Sequence, residues 1–221
     1  MTVKVIMFDF DGTLADTLDT LVTITNRLAL EFGYKPTAPE QLAQIRNLSS
    51  REIVMQSGIS IFKIPFLLKK IKGNLHNEIQ YLNSIPGIKE ALIQLKYEGN
   101  ILGILTSNSE ENVRIFLNKQ GMEELFSFVY SETTLFSKHR IIRKFMKENY
   151  LSSEEIVYVG DETRDIESSK KIPIKVIAVS WGFNSREVLA KHKPDFLIHK
   201  PSELIEVMGS LQKKAEKAHG F

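Results

Sequence analysis

The chain has 221 residues, of which 43% are hydrophobic and 25% are charged, as in a globular protein of one or two domains. It contains no cysteine, which excludes thiolate zinc sites, iron–sulfur clusters and cysteine nucleophiles. The formal net charge of +2 is too small to indicate a nucleic-acid partner, and no stretch approaches the roughly 18 apolar residues of a membrane span. The amino terminus reaches the acidic Asp9 too early for a secretory signal. We therefore expect a cytoplasmic protein, monomeric or homodimeric, that binds neither nucleic acid nor membrane.

Six short runs rich in valine and isoleucine predict β-strands that are buried on both faces. The runs span residues 3–8, 101–105, 125–129, 156–159, 174–179 and 196–198. From residue 86 onward they alternate with segments whose apolar residues recur at helical spacing, as Ile88, Leu92 and Leu95 do. This alternation favours an α/β fold with a Rossmann-like, doubly wound parallel sheet.

The segment 17–83 differs from the rest, because it contains no convincing strand and is predicted to form three or four helices. Ser49 and Glu52 have the spacing of a capping box at the start of one of them. We therefore divide the chain into an α/β core, residues 1–16 and 84–221, and an all-helical domain, residues 17–83, inserted after the first strand.

The strongest motif, Asp9-Phe10-Asp11-Gly12-Thr13, directly follows the first predicted strand. Ligands of parallel α/β sheets bind beyond the carboxyl ends of the strands, so we expect both carboxylates to lie in an active-site crevice. The alternative is a turn in which aspartate and glycine only satisfy the loop geometry.

Polar residues also follow the other predicted strands, at the same edge of the sheet. Thr106 ends the second strand, Ser107 and Asn108 come next, and Lys138 begins the helix after the third strand. An acidic cluster follows the fourth strand and consists of Asp161, Glu162 and Asp165. Carboxylates, a hydroxyl and a lysine that converge on one rim are far more specific than any of them alone.

In this combination and order, the motifs resemble those of haloacid dehalogenase superfamily phosphatases. The sequence is most similar to the phosphoglycolate-phosphatase-like branch, which carries a helical cap after the first motif. The resemblance covers nearly the whole chain and rests on residues 9–13, Thr106, Lys138 and residues 160–165. It implies a Rossmann-like core with a mobile cap, and Mg²⁺-dependent hydrolysis of a small phosphorylated metabolite, such as phosphoglycolate or a sugar phosphate.

The resemblance also implies a role for each residue. Asp9 would be the nucleophile that forms an aspartyl-phosphate, and Asp11 would be the general acid and base. Mg²⁺ would be held by the Asp9 carboxylate, the Asp11 backbone carbonyl and Asp161. Glu162 and Asp165 would act through metal-bound water or by orienting Lys138. The residues that contact the phosphoryl group would be Lys138, Thr106, Gly12, and the backbone N–H groups of Ser107 and Asn108.

Several of these residues have simpler alternative roles. Thr106 or Asn108 could cap the helix that starts near residue 110, and Asp165 could cap the helix that contains it. Lys138 is followed by a basic run, and such runs usually form a solvated helix face. Glu162 could simply face the solvent.

Arg46 and Arg51 flank a short polar connection in the helical segment. The acidic residues of the site outweigh Mg²⁺ plus one lysine, so we expect cations of the cap to help attract a phosphate dianion. The planar guanidinium fork suits that ligand. The alternative is that both arginines are solvated near a helix start.

Three other functions share parts of this pattern. A sugar phosphomutase would use the same aspartates, although Thr13 disfavours it slightly. A non-catalytic regulator would accept a phosphoryl group on aspartate without turnover. A nucleotide-binding module is disfavoured because the chain has neither G-x-G-x-x-G nor G-x-x-x-x-G-K.

Overall fold

A computed structural model of the protein describes residues 3–131 and 137–219. Six parallel strands form one sheet in the order β3-β2-β1-β4-β5-β6. The strands are β1 (Val5–Phe8), β2 (Ile101–Thr106), β3 (Phe128–Ser131), β4 (Ile156–Gly160), β5 (Lys175–Val179) and β6 (Phe196–Ile198). The expected α/β fold with a doubly wound parallel sheet is confirmed.

Helices connect these strands, and one more follows the last strand. Between β1 and β2 lie α1 (Leu18–Phe32), α2 (Pro39–Ile45), α3 (Ser50–Gln56), α4 (Ile64–Glu78) and α5 (Ile88–Tyr97). The later helices are α6 (Glu110–Gln120), α7 (Lys138–Glu148), α8 (Thr163–Lys170), α9 (Arg186–Lys191) and α10 (Glu203–His219). None of the helices in the described part is both long enough and apolar enough to cross a membrane.

The centre of the sheet is β1, which is buried along its whole length. Phe8 is in register with Ile104 of β2 on one side and with Val159 of β4 on the other. The chain first builds β2 and β3 on one side of β1 and then continues with β4 on the other side. Such a reversal leaves a crevice at the carboxyl ends of the central strands, which is where sheets of this type bind ligands.

The third strand begins later than predicted. Residues Glu123–Leu125 form a single 3₁₀ turn, and the strand starts only at Phe128. The apolar residues before it serve packing instead, since the Phe126 ring meets the Phe8 ring edge-on with centroids 6.2 Å apart. The first part of the run 125–129 is therefore apolar because it packs against the core, and only the part from Phe128 onward is strand.

The segment 17–83 is helical throughout its ordered elements and contains no strand. The capping box at Ser49 is confirmed: Glu52 N–H donates to Ser49 Oγ over 3.3 Å, and Ser49 N–H donates to Glu52 Oε2 over 2.7 Å. The division into a core and a separate helical domain stays a prediction. Residues 1–2, 132–136 and 220–221 of the expected core lie outside the described residues.

Candidate active site

The first carboxylate of the site, Asp9, directly follows β1 and is 1% exposed. Its backbone N–H continues the sheet by donating to the Val159 carbonyl over 2.8 Å. Its Oδ1 accepts the N–H of Phe10 over 2.8 Å, so the carboxylate is held by its own turn. The central strand therefore delivers this side chain to the crevice, as the motif predicted.

Lys138 is the cation of this buried cluster. Its Nζ lies 2.6 Å from Asp9 Oδ2 and 2.7 Å from Asp165 Oδ1, and its side chain is only 2% exposed. Burial opposes the charge on Lys138, but the carboxylates of Asp165 and Asp9 raise its pKa above the ordinary value. The alternative of a solvated basic face is therefore wrong for this lysine, although it fits the exposed Lys144.

Asp161 lies at the end of β4 and is completely buried. Its Oδ1 accepts the hydroxyl of Thr13 over 2.7 Å, and its Oδ2 accepts the N–H of Phe183 over 2.6 Å. Burial first, and then the carboxylates of Glu162 and Asp9, raise its pKa well above the ordinary value. The pocket is thus unfavourable to a negative charge unless a positive charge joins it.

Three carboxylates of the cluster are arranged suitably for a cation. Asp9, Asp161 and Asp165 each place an oxygen within 4.8 Å of the others, and all three are buried. Carboxylate oxygens are the ligands that hard divalent cations such as Mg²⁺ prefer. The donor chemistry and the raised pKa of Asp161 both fit a bound divalent cation.

Asp165 has two partners at once. Besides its ion pair with Lys138, its Oδ2 accepts the N–H of Glu162 over 3.1 Å at the start of α8. It therefore contacts the start of the helix and the lysine at the same time, which is compatible with both interpretations of this residue. Burial raises its pKa to about 6, against the opposing effect of Lys138.

Glu162 does not face the solvent. Its Oε1 forms an ion pair with the buried Arg164, and its Oε2 accepts the hydroxyl of Ser50 over 2.7 Å. Both carboxylate oxygens thus have protein partners, one of them at the start of α3. Arg164 was not identified from the sequence; a basic residue two positions after a candidate metal ligand carries no distinctive signal.

The second carboxylate of the first motif, Asp11, lies two residues after Asp9 and contacts the turn that follows β2. Both of its oxygens accept the amide of Asn108, over 3.2 and 3.1 Å. Burial and the neighbouring charge of Asp9 raise its pKa to about 7. A carboxyl group with such a pKa is well suited to exchange a proton near neutral pH.

The turn after β2 differs in detail from the prediction. Helix α6 is capped by Ser109, whose Oγ accepts the N–H of Asn112 over 3.2 Å, and not by Thr106 or Asn108. The Asn108 N–H donates to Thr106 Oγ1 over 3.0 Å. Because the Thr106 hydroxyl oxygen is the acceptor in that bond, its hydrogen can be donated to another group.

The two arginines of the helical segment lie in different places. Arg46 donates through Nε to the Phe183 carbonyl over 3.0 Å and through a terminal nitrogen to the Gly182 carbonyl over 2.9 Å. Arg51 lies 3.4 Å from Glu167 with a side chain that is 56% exposed. Arg46 therefore binds the loop that supports Asp161, a contact that the sequence did not indicate.

That loop contains a further supporting residue that no sequence motif indicates. Asn184 is fully buried; its Oδ1 accepts the Thr163 N–H over 2.8 Å and its amide donates to the Leu48 carbonyl over 2.9 Å. It joins the start of α8 to the helical segment. The only signal was the glycine-containing turn after the fifth strand, and glycine turns are too common to identify a partner.

Comparisons with known proteins agree with this geometry. Residues 6–179 match the family model of haloacid dehalogenase-like hydrolases. A phosphoglycolate phosphatase of Synechococcus elongatus is 39% identical, covering 96% of this chain and 100% of the relative, and one of Vibrio cholerae is 26% identical, covering 94% and 97%. The crystal structure of a predicted phosphatase from Clostridium acetobutylicum superposes with a TM-score of 0.81 at 18% identity, covering 95% and 100%. The chain therefore belongs to the haloacid dehalogenase-like hydrolase family, in the branch that contains the phosphoglycolate phosphatases.

Proposed function

We propose that this phosphatase is Mg²⁺-dependent and hydrolyses a small phosphorylated metabolite, phosphoglycolate or a similar small phosphate such as a sugar phosphate. The reaction would pass through an aspartyl-phosphate on Asp9. The observation that carries the proposal is the buried ion pair of Lys138 with Asp9 and Asp165, beside Asp161, at the reversal of the strand order. The names of the relatives at 39% and 26% identity support this substrate class.

Asp9 is the residue that attacks phosphorus. Its Oδ2 lies 2.6 Å from Lys138 Nζ, and its Oδ1 is held by the Phe10 N–H. A bond forms between an Asp9 oxygen and phosphorus while the bond from phosphorus to the leaving oxygen of the substrate breaks. Lys138 stabilises the negative charge on the phosphoryl oxygens without having to move, because Asp165 holds it in place.

Asp11 moves the protons in both halves of the reaction. In its neutral form it donates a proton to the leaving oxygen, and the resulting carboxylate then takes one from the water that attacks the aspartyl-phosphate. Phosphate leaves and Asp9 is restored. A pKa of about 7 lets Asp11 populate both forms near neutral pH.

The phosphoryl group is bound by short polar contacts around this centre. The residues that we assign to it are Lys138, Thr106, Gly12 and the backbone N–H groups of Ser107 and Asn108. To bind the phosphoryl group, the Asn108 N–H would leave Thr106 Oγ1, its acceptor in this structure. Gly12 has φ of 74°, its N–H donates to the Ala15 carbonyl over 2.9 Å, and the absence of a Cβ leaves room for the Asp161 carboxylate.

A divalent cation would be held by the Asp9 carboxylate, the Asp11 backbone carbonyl and Asp161, with Glu162 and Asp165 close by. When bound, Mg²⁺ supplies positive charge that offsets the clustered carboxylates and the phosphate dianion. Asp165 and Glu162 already bind Lys138 and Arg164, which favours an indirect role for both.

Residues 17–83 would act as a cap that closes over the substrate, and Arg46 and Arg51 remain the candidates for attracting its negative charge. The contacts of Arg46 with the Gly182 and Phe183 carbonyls support a second role, which is to join this cap to the loop beside Asp161. Substrate specificity would then depend mainly on the cap.

The test is steady-state phosphate release from a panel that contains phosphoglycolate, sugar phosphates, a nucleotide and pyrophosphate, with Mg²⁺ and with EDTA. We expect many turnovers with a preference for one small metabolite, and loss of activity in EDTA. Transfer of the phosphoryl group to another position of a sugar would identify a mutase. Release of at most one phosphate per chain from every compound would indicate a regulator and contradict the proposal.

A further inference from the structure

A chain of buried side-chain amides runs from Asp11 to helix α4. The Asn108 amide nitrogen donates to both Asp11 oxygens, and its Oδ1 accepts the amide of Asn112 over 2.9 Å. Asn112 lies one turn further along α6 and is 1% exposed. Its amide nitrogen also donates to the Lys72 carbonyl of α4 over 3.1 Å.

The backbone fixes the orientation of both amides. The Lys72 carbonyl can only accept a hydrogen bond, so the nitrogen of Asn112 must face it. At the other end, the Ser109 N–H can only donate, and it lies 2.8 Å from Asn108 Oδ1, so the oxygen of Asn108 must face it. The two backbone groups therefore impose the same donor-to-acceptor direction on the row of amides. As a result, Asn108 can present only its N–H donor to Asp11.

The remaining atom of Asn112 also has a partner. Its Oδ1 lies 2.9 Å from His76 Nδ1, also on α4, and since an amide oxygen only accepts, Nδ1 is the donor in this contact. Both amide hydrogens and the oxygen of the Asn112 side chain thus have hydrogen-bond partners. This residue itself touches neither Asp11 nor the atoms assigned to the phosphoryl group. A buried polar network with every member satisfied holds its groups in one geometry.

We propose that Asn112 is a positioning residue for the reaction: it fixes the Asn108 amide and, through it, the place of the Asp11 carboxylate from which the protons are transferred. The inference rests on the proposed function, because it assigns Asn112 to the acid–base step alone. Since Lys72 and His76 belong to α4, the seating of this helix against α6 supports the same carboxylate.

The isosteric variant Asn112→Asp removes both donated hydrogen bonds and places an acceptor against the Lys72 carbonyl and Asn108 Oδ1. For phosphoglycolate we expect kcat to fall roughly 10- to 100-fold, as when a reacting group loses its alignment, with KM changed by less than about threefold. Asn118→Asp is the matched control, because Asn118 lies on the same helix, exposed, with one long contact of 3.5 Å to Glu123.

A substrate with a good leaving group separates positioning from general damage. The leaving oxygen of p-nitrophenyl phosphate is a weak base and needs no proton, so the first release of p-nitrophenol by Asn112→Asp should match the wild-type rate within about threefold. The attack of water still needs Asp11. The variant should therefore show a burst of one p-nitrophenol per chain, followed by slow turnover and accumulation of phosphorylated protein.

Asn112→Ala decides the matter if Asn112→Asp does not fold, as judged by circular dichroism and Tm, since it removes the same donors without adding a charge. The proposal is overturned if the folded variant keeps wild-type kcat, or if it loses the p-nitrophenol burst and the later turnover equally. A wild-type protein that fails to turn over any phosphate ester would instead overturn the proposed function itself, and this inference with it.

Discussion

Gly12 faces Asp161 so closely that a Cβ at position 12 would lie 2.3 Å from Asp161 Oδ2. Gly12 also has φ of 74°, a conformation that side chains disfavour. The glycine of the first motif thus lets two loops from different strands meet, and the Asp161 carboxylate occupies the space that a side chain would take.

Gly12→Ala should therefore displace Asp161. We expect kcat/KM to fall by about 100-fold or more, because the Asp161 carboxylate would no longer lie in its place beside Asp9 and Asp165. Gly33→Ala provides the control: Gly33 has φ of 79° but nothing within 4 Å of its Cβ position. That variant should lose about 1 kcal/mol of stability and retain its activity. Equal activity of the two variants would contradict the proposed role of the contact.

Lys138→Met should lower phosphatase activity at least about 100-fold, because the phosphoryl group loses a cation. It should also destabilise the metal-free protein by about 3 kcal/mol, because Asp9 and Asp165 lose their buried ion-pair partner. Urea unfolding and phosphate release measure the two effects. Lys144→Met on the same helix removes only an exposed i,i+4 pair with Glu148 and should change stability by less than about 0.5 kcal/mol. A Lys138→Met protein with wild-type stability would show that the ion pair contributes nothing to the fold.

The cation site predicts opposite effects of one substitution with and without metal. Asp161→Asn should raise the Tm of the metal-free protein, because the buried carboxylate has a strongly raised pKa and is unfavourable when ionised. Mg²⁺ should raise the Tm of the wild type and leave that of Asp161→Asn nearly unchanged. Asp19→Asn, at an exposed position of α1, should behave as the wild type does. A Tm that rises equally in both proteins would place the ion elsewhere.

The stability of the metal-free protein should fall as the pH rises. Burial raises the pKa of Asp165 to about 6 and that of Asp11 to about 7, from an ordinary value of 3.8. The folded state binds more protons than the unfolded state in this range, so their contribution is complete below about pH 3.8 and is lost as the pH passes through 6 and 7.

Urea unfolding in EDTA between pH 5 and 8 measures this dependence. We expect a decreasing free energy of unfolding, with a smaller decrease in Asp11→Asn, which removes one of the carboxyl groups with a raised pKa. An increase in stability over the same pH range would contradict the sign derived for these carboxyl groups.

The positions of the catalytic candidates were predictable because they follow from the alternation of strands and helices. Asp9 and Asp161 come directly after buried strands and Thr106 ends one, and a parallel sheet brings such positions to one edge. Lys138 was placed by its helix, although only the fold shows that its side chain points inward.

The supporting contacts were not predictable for the opposite reason. Asn184 and Asn112 find their partners 136 and 36 residues away, through packing that leaves no periodic pattern in the sequence. Arg46 likewise donates to the Gly182 and Phe183 carbonyls. Many backbone carbonyls could accept these hydrogen bonds, so the sequence alone does not identify the partners. The late start of β3 shows the same limit, since apolar residues before Phe128 pack without forming strand.

The central claim, that Asp9 carries the phosphoryl group, is tested most directly by mapping the phosphoryl site. The protein is mixed with phosphoglycolate and Mg²⁺, quenched in acid within one turnover, digested, and searched for a hydroxylamine-sensitive phosphopeptide. We expect the phosphoryl group on Asp9 in the wild type, no phosphopeptide from Asp9→Asn, and loss of turnover in that variant. Turnover that survives in Asp9→Asn, or a label on another residue, would contradict the mechanism.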